Sequence, residues 1–190
     1  MRARAEATAR TRGRILDAVV ALAQEKLTLE VVMAEVAERA GVSVPTVLRH
    51  FGSREGLFEA AREHGANAVV EERETPVGDV EAAVAVIVAH YERRGAFVLS
   101  MLAQARFDPA AAAVTEPGKG LHRSWVETTF APWLLDRPDA TAVVDLLVVA
   151  TDVYTWSLVR RDAGRDRATT EARMLALVRA VLATGEARDG

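Results

Sequence analysis

Not one of the 190 residues is cysteine, which excludes disulfides, thiolate metal sites and a cysteine nucleophile together. Aromatic residues are scarce too, 5% against an apolar share of 50%. A core must therefore be assembled from Ala, Val and Leu, which suits closely packed helices. Hairpin chemistry is missing, since no Asn-Gly or Asp-Gly pair separates alternating apolar runs. An all-α chain is expected. Uninterrupted apolar runs such as 82–89 are far shorter than the ~20 residues that span a bilayer. The N-terminal MRARAEATARTRGR is basic but lacks the apolar segment of a signal peptide. A cytoplasmic protein without membrane association is expected.

Catalytic patterns are also wanting. His50, His64, His90 and His122 have no metal-ligand spacing, and neither G-x-S-x-G nor G-x-G-x-x-G occurs. Gly118-Lys119-Gly120 lacks the upstream glycine and following Ser/Thr of a phosphate loop. The expectation is no catalytic residue, no metal, no cofactor, and a chain that is not an enzyme. Asp145 and Asp152, seven apart in an apolar stretch, could face a ligand, Arg106 or His122. The alternative is a satisfied pair at a domain or dimer rim.

Charge is unevenly placed. The net value of −3 argues against a general nucleic-acid binder, yet residues 1–14 hold five Arg against one Glu. Residues 1–55 hold nine basic and seven acidic side chains, whereas the remaining 135 hold 15 and 20. The positive end is where a phosphate-binding surface would lie. The other reading of the first residues is a solvated basic tail.

That same end contains the stretch around which the chain is organised. In residues 31–58, Met33, Val36, Ala37 and Ala40 recur on one helix face. Gly41 supplies a left-handed stop, and Val42 fills the corner. Ser43 is an N-cap for a second helix, with Pro45 in its first turn. Val47 and Phe51 give this helix an apolar side, leaving Val44, Pro45, Thr46, Arg49 and His50 to point elsewhere. Two helices, a Gly-containing corner and a free polar-basic face define a helix-turn-helix.

The run AGVSVPTVLRHFGSREGLF resembles the recognition region of TetR-family transcriptional repressors. Ala40, Gly41, Val42, Ser43, Pro45, Thr46, Val47, His50, Phe51, Ser53, Glu55 and Leu57 match that pattern. Three positions depart from it. Leu48 replaces a Tyr that reaches a DNA phosphate in the family, and Arg54 replaces a Lys. Val31 or Val32 replaces a Thr that caps the preceding helix; Thr28 or Glu30 could cap a longer helix instead.

The rest of the chain reads as further helices, about nine in all. The first spans 12–26; others cover about 54–74, 79–94, 96–107, 121–135, 139–162 and 169–184, with a short Ala-rich turn of helix at 109–115. Breaks are expected at 75–78, at Gly95, at 116–120 and at 163–164, and Pro132 is expected to kink or end its helix. The resemblance implies a DNA-binding domain at 8–68 and a helical ligand-binding and dimerisation domain at 69–190. Its last two long helices would form a four-helix dimer interface containing Leu147 and Leu177. It further implies a homodimeric, ligand-responsive repressor on a palindromic double-stranded DNA operator, released by a small-molecule effector. Val44, Pro45, Thr46 and Arg49 would face bases, with Ser43, His50, Arg54 and the N-terminal Arg residues on phosphates. Phe97, Met101, Trp125, Thr129 and Tyr154 would line the effector pocket. The alternative is a helical ligand-binding or adaptor protein with a degenerate reading head, a small all-α enzyme standing behind both.

Overall fold

The computed structural model describes residues 2–25 and 30–184, without the side chains of residues 2, 3 and 110. Every regular element among them is helical. The chain divides into two compact units, Met1–Val69 and Val70–Gly190.

The first unit holds α1 (Arg2–Glu25), α2 (Met33–Ala40), α3 (Val44–Phe51) and most of α4 (Arg54–Glu72). Ile15, Val19 and Leu22 of α1 meet Val31, Val36, Val47 and Leu57 in one apolar cluster. Helix α1 starts ten residues before the expected position 12. Residues 2–11 are rich in Ala and Arg, strong helix formers, but residues 4–10 are all exposed, which leaves no apolar stripe for periodicity to detect. Helix α2 starts at Met33 with Val32 at the N-cap, so Glu30 does not begin a longer helix; Thr28 lies outside the described residues. Val32 cannot cap with its side chain. Its backbone N–H donates instead to Glu35 Oε2 at 3.2 Å, the reciprocal half of a capping box.

The second unit contains α5 (Val80–Gln104), α6 (Pro109–Thr129), α7 (Ala131–Leu134), α8 (Ala140–Ala150), α9 (Val153–Ser157) and α10 (Arg167–Leu182). A wide π turn, Leu158–Asp162, continues α9. The core joins Val84, Ile87 and Val88 of α5 to Val126, Phe130, Leu147, Trp156, Met174 and Val178.

Three expected boundaries are corrected here. Gly95 does not end a helix; α5 runs straight through it. A Cβ at Gly95 would stand 2.5 Å from Trp156 Cζ3, so glycine is there to admit the indole. Nor is 116–120 a loop, because α6 continues through Pro117. The carbonyl that Pro117 leaves without a donor is that of Ala113, an exposed residue, so water can meet it. Conversely, 139–162 is not one helix. Asp152 Oδ1 accepts from Tyr154 N–H at 2.8 Å and starts α9 afresh. Just before it, the Thr151 carbonyl accepts from Tyr91 Oη at 3.1 Å. Pro132 lies in the first turn of α7, as its missing N–H allows.

Candidate nucleic-acid interface

The corner between α2 and α3 is closed by a Schellman arrangement. Gly41 adopts φ 65°, its N–H donates to Glu38 O at 3.0 Å, and Val42 N–H donates to Ala37 O at 2.9 Å. Ser43 Oγ accepts from Thr46 N–H at 3.4 Å and lies 3.0 Å from Thr46 Oγ1. Pro45 occupies the first turn, where no intrahelical donor is lost. Val47 is wholly buried beneath the helix. At the far end, Gly56 lets α4 begin against α3, since a Cβ there would lie 2.4 Å from Phe51 O. The sequence pattern leaves that position unmarked.

With its inner side anchored, α3 shows an outer face. Pro45, Leu48 and Arg49 are exposed, while Val44, Thr46 and His50 are half-buried. Arg49 Nη2 is 3.5 Å from Thr46 Oγ1, which leaves its guanidinium close along the helix. The His50 and Phe51 rings tilt together at 6.1 Å, and Arg12 stacks over Phe51 with its Cζ 4.5 Å from the centroid. Arg54 is differently engaged. Its Nη2 donates to Val31 O at 3.2 Å and its Cζ lies 4.4 Å over the Phe58 ring, so it braces α4 against the segment before α2. Glu55 in the first turn of α4 is held below the usual carboxylate range by the backbone N–H groups and then by the Ser53 hydroxyl.

The residues expected to bind an effector belong to the second unit and differ in setting. Met101 and Thr129 are buried, Phe97 and Trp125 half-buried, and Tyr154 is 54% exposed. Trp125 Nε1 donates to Arg73 O at 2.9 Å, and its ring stacks on His122 at 5.8 Å and meets Phe130 edge-on at 6.1 Å.

Around Trp125 lies a polar network that composition and spacing did not announce. Arg73, only 8% exposed, has Nη1 3.4 Å from His122 Nδ1 and a buried Nε with no partner. His122 Nε2 is 3.4 Å from Val148 O and 3.2 Å from Thr151 Oγ1. A carbonyl only accepts, so Nε2 carries the proton and Nδ1 accepts from Arg73. Burial, then the Arg73 cation, pushes the His122 imidazole down to about 4. His90 is pushed to about 3, chiefly by burial and also by Arg73. Its 3.0 Å contact with Glu72 is thus a neutral imidazole donating to a carboxylate. Arg94 grips Glu72 through two nitrogens, Nη2 to Oε1 at 2.6 Å and Nε to Oε2 at 2.9 Å, and holds that carboxyl near 2.

The two aspartates seven apart do not face a common site. Asp145 is exposed and pairs with Arg123 at 2.7 Å, whereas Asp152 caps α9 and is pushed up by burial. Neither hydrogen-bonds Arg106 or His122 among the described contacts.

An all-helical fold whose N-terminal unit fixes an exposed helix behind a tight glycine corner is that of a helix-turn-helix DNA-binding protein. Residues 15–61 match the family of bacterial regulatory proteins of the tetR type, so the reading head of the first unit is of that type. Two crystal structures share the fold. One is a transcriptional regulator from Rhodococcus sp. Rha1, 19% identical, with TM-score 0.64 over 90% of this chain and 95% of that one. The other is a tetR-family transcriptional regulator from Streptomyces coelicolor, 21% identical, with TM-score 0.64 over 94% and 85%. No curated protein sequence matches significantly.

Proposed function

We propose that the chain is a ligand-responsive repressor, a homodimer on a palindromic operator from which a small-molecule effector releases it. Residues 8–68 serve as the DNA-binding domain and 69–190 as the ligand-binding and dimerisation domain. It works in the cytoplasm, without a membrane partner and without catalysis. The observation that carries the reading is the outward side of α3, where Pro45 and Arg49 stand exposed on a helix whose inner face and both ends are fixed. Val44, Pro45, Thr46 and Arg49 face bases, and Arg49 can pair with guanine through two nitrogens. Ser43, His50, Arg54 and the N-terminal arginines lie toward phosphates. The effector binds near Phe97, Met101, Trp125 and Thr129, and favours release by binding the released conformation more tightly. Exposed Tyr154 fits the subunit interface better.

Selection of preferred duplexes from a random pool, followed by titration at several salt concentrations, tests DNA reading. Arg49→Ala should relax discrimination at one base pair per half-site, by about 1–3 kcal/mol. Arg54→Ala should weaken all sequences alike and flatten the salt slope by about one unit per site. An unchanged base preference in Arg49→Ala would refute this orientation of α3. Failure to select any duplex would favour the adaptor reading, to which Leu48 in place of the family's tyrosine lends support.

Dimerisation is supported by large apolar side chains left exposed: Leu146, Val149, Tyr154 and Leu158 between α8 and the π turn, with Leu177 on α10. Leu147 itself is fully buried in the core, so Leu147→Glu should unfold the protein. Val149→Glu, at a position 62% exposed, should give folded monomer. Light scattering with circular dichroism distinguishes the two results. A wild-type monomer at micromolar concentration would overturn the dimer.

A further inference from the structure

On a helix turning about 100° per residue, Val47 marks the buried side of α3 and Arg49 falls near the opposite pole. Pro45 lies beside Arg49. Leu48 sits about 60° further round, next to Val44 one turn before it. Val44, Pro45 and Leu48 thus make a continuous apolar flank on one side of Arg49, the side away from Thr46, toward which its guanidinium leans. Val44 packs at the edge of the first unit's core, whereas Leu48, 42% exposed, takes no part in it. Its apolar body can offer a phosphate neither a hydrogen bond nor a charge.

Exposed beside Arg49 on the outward side of an anchored helix, Leu48 can meet an apolar group on whatever surface Arg49 reaches. The major-groove edge offers one such group, the 5-methyl of thymine. We propose that Val44, Pro45 and Leu48 form a thymine-methyl reader, with Leu48 its outermost contact, so that each half-site carries a thymine next to the base pair read by Arg49. The inference rests on the DNA-reading function proposed above and adds the base class. It makes Leu48 a specificity-determining residue.

The test removes one methyl group at a time. A duplex selected by the full-length protein is resynthesised with each thymine in turn replaced by deoxyuridine, which keeps every hydrogen-bonding group. Affinities are read by fluorescence anisotropy for wild type and Leu48→Ala. One buried methyl corresponds to about fourfold in affinity, so deoxyuridine at the read position should weaken wild type about fourfold per half-site. In Leu48→Ala the same replacement should cost less than twofold, with the melting temperature unchanged because the side chain is exposed. Deoxyuridine tolerated at every thymine, or an equal penalty in Leu48→Ala, would overturn the proposal while DNA binding stands. If no duplex is selected, DNA reading falls and this inference with it.

Discussion

Urea unfolding of the full chain should become markedly easier as pH falls from about 6.5 to about 4, with His122 a principal cause. In the unfolded chain an imidazole takes up its proton near 6.5. In the second unit His122 resists protonation until about 4, because burial and the adjoining Arg73 cation oppose a second positive charge. Its folded pKa is depressed, so below about 6.5 the unfolded state binds a proton that the folded state refuses. The stability contribution is complete above 6.5 and is lost on the way down to 4, on the order of 3 kcal/mol. His90, pushed to about 3, acts in the same direction. Glu72 adds a later loss: held near 2 by Arg94, it contributes above its unfolded value and ceases to do so as pH falls from about 4.5 to 2. Unfolding titrations at pH 7.5, 6 and 5 should show a shallower pH dependence for His122→Gln, which cannot titrate. The same slope in both proteins would refute the neutral, buried assignment of His122.

Replacing Gly95 by alanine should lower the melting temperature, although glycine to alanine within a helix ordinarily raises it. The usual gain is about 1 kcal/mol. Here the new Cβ would fall 2.5 Å from Trp156 Cζ3 and 2.8 Å from Cη2. The indole cannot easily withdraw: it is buried, packs 6.0 Å from the Tyr91 ring, and donates to Glu92 Oε1 at 3.1 Å. Overpacking of this kind costs about 1–3 kcal/mol and occasionally more, enough to reverse the propensity gain. The difference, a net loss of about 1 kcal/mol, corresponds to a fall of roughly 2–4 °C for a chain of this size. Gly95→Ala combined with Trp156→Leu should lose less than the sum of the two single changes, because truncating the ring removes the clash. A melting temperature raised by Gly95→Ala alone would show that α5 and α9 stand further apart.

The helix-turn-helix was legible in the sequence because its determinants are local: a left-handed glycine, a capping serine three residues before the N–H it serves, and a buried valine one turn before Phe51. Elsewhere the deciding partner is far away in sequence. Gly95 and Pro117 look like breakers, yet a distant tryptophan explains the first and solvent access permits the second. The apolar run after Asp139 carries no Gly or Pro breaker; Asp152 restarts the helix as an N-cap, beside a Thr151 that Tyr91 and His122 meet. The buried network escaped notice for the same reason. Arg73, His90, His122 and Thr151 share no spacing, and only the packing of helices gathers them. Of the residues assigned to DNA, α3 presents Arg49 outward as expected. What no short motif could disclose is that Arg54 binds Val31 O and covers the Phe58 ring.

The interruption at Thr151 and Asp152 also changes how this stretch would behave toward lipid. Ala140–Asp162, 23 residues, has the length and apolar composition of a bilayer-crossing helix. Split after Ala150, its longest straight α-helical piece is 11 residues, about 16 Å at 1.5 Å per residue, roughly half the ~30 Å of a hydrocarbon core. The carboxylate that restarts the chain sits at the middle of the stretch, where hydrocarbon would be least hospitable to it. A feature that aims Trp156 into the space beside Gly95 therefore also keeps the most apolar part of the protein from forming a bilayer-length rod.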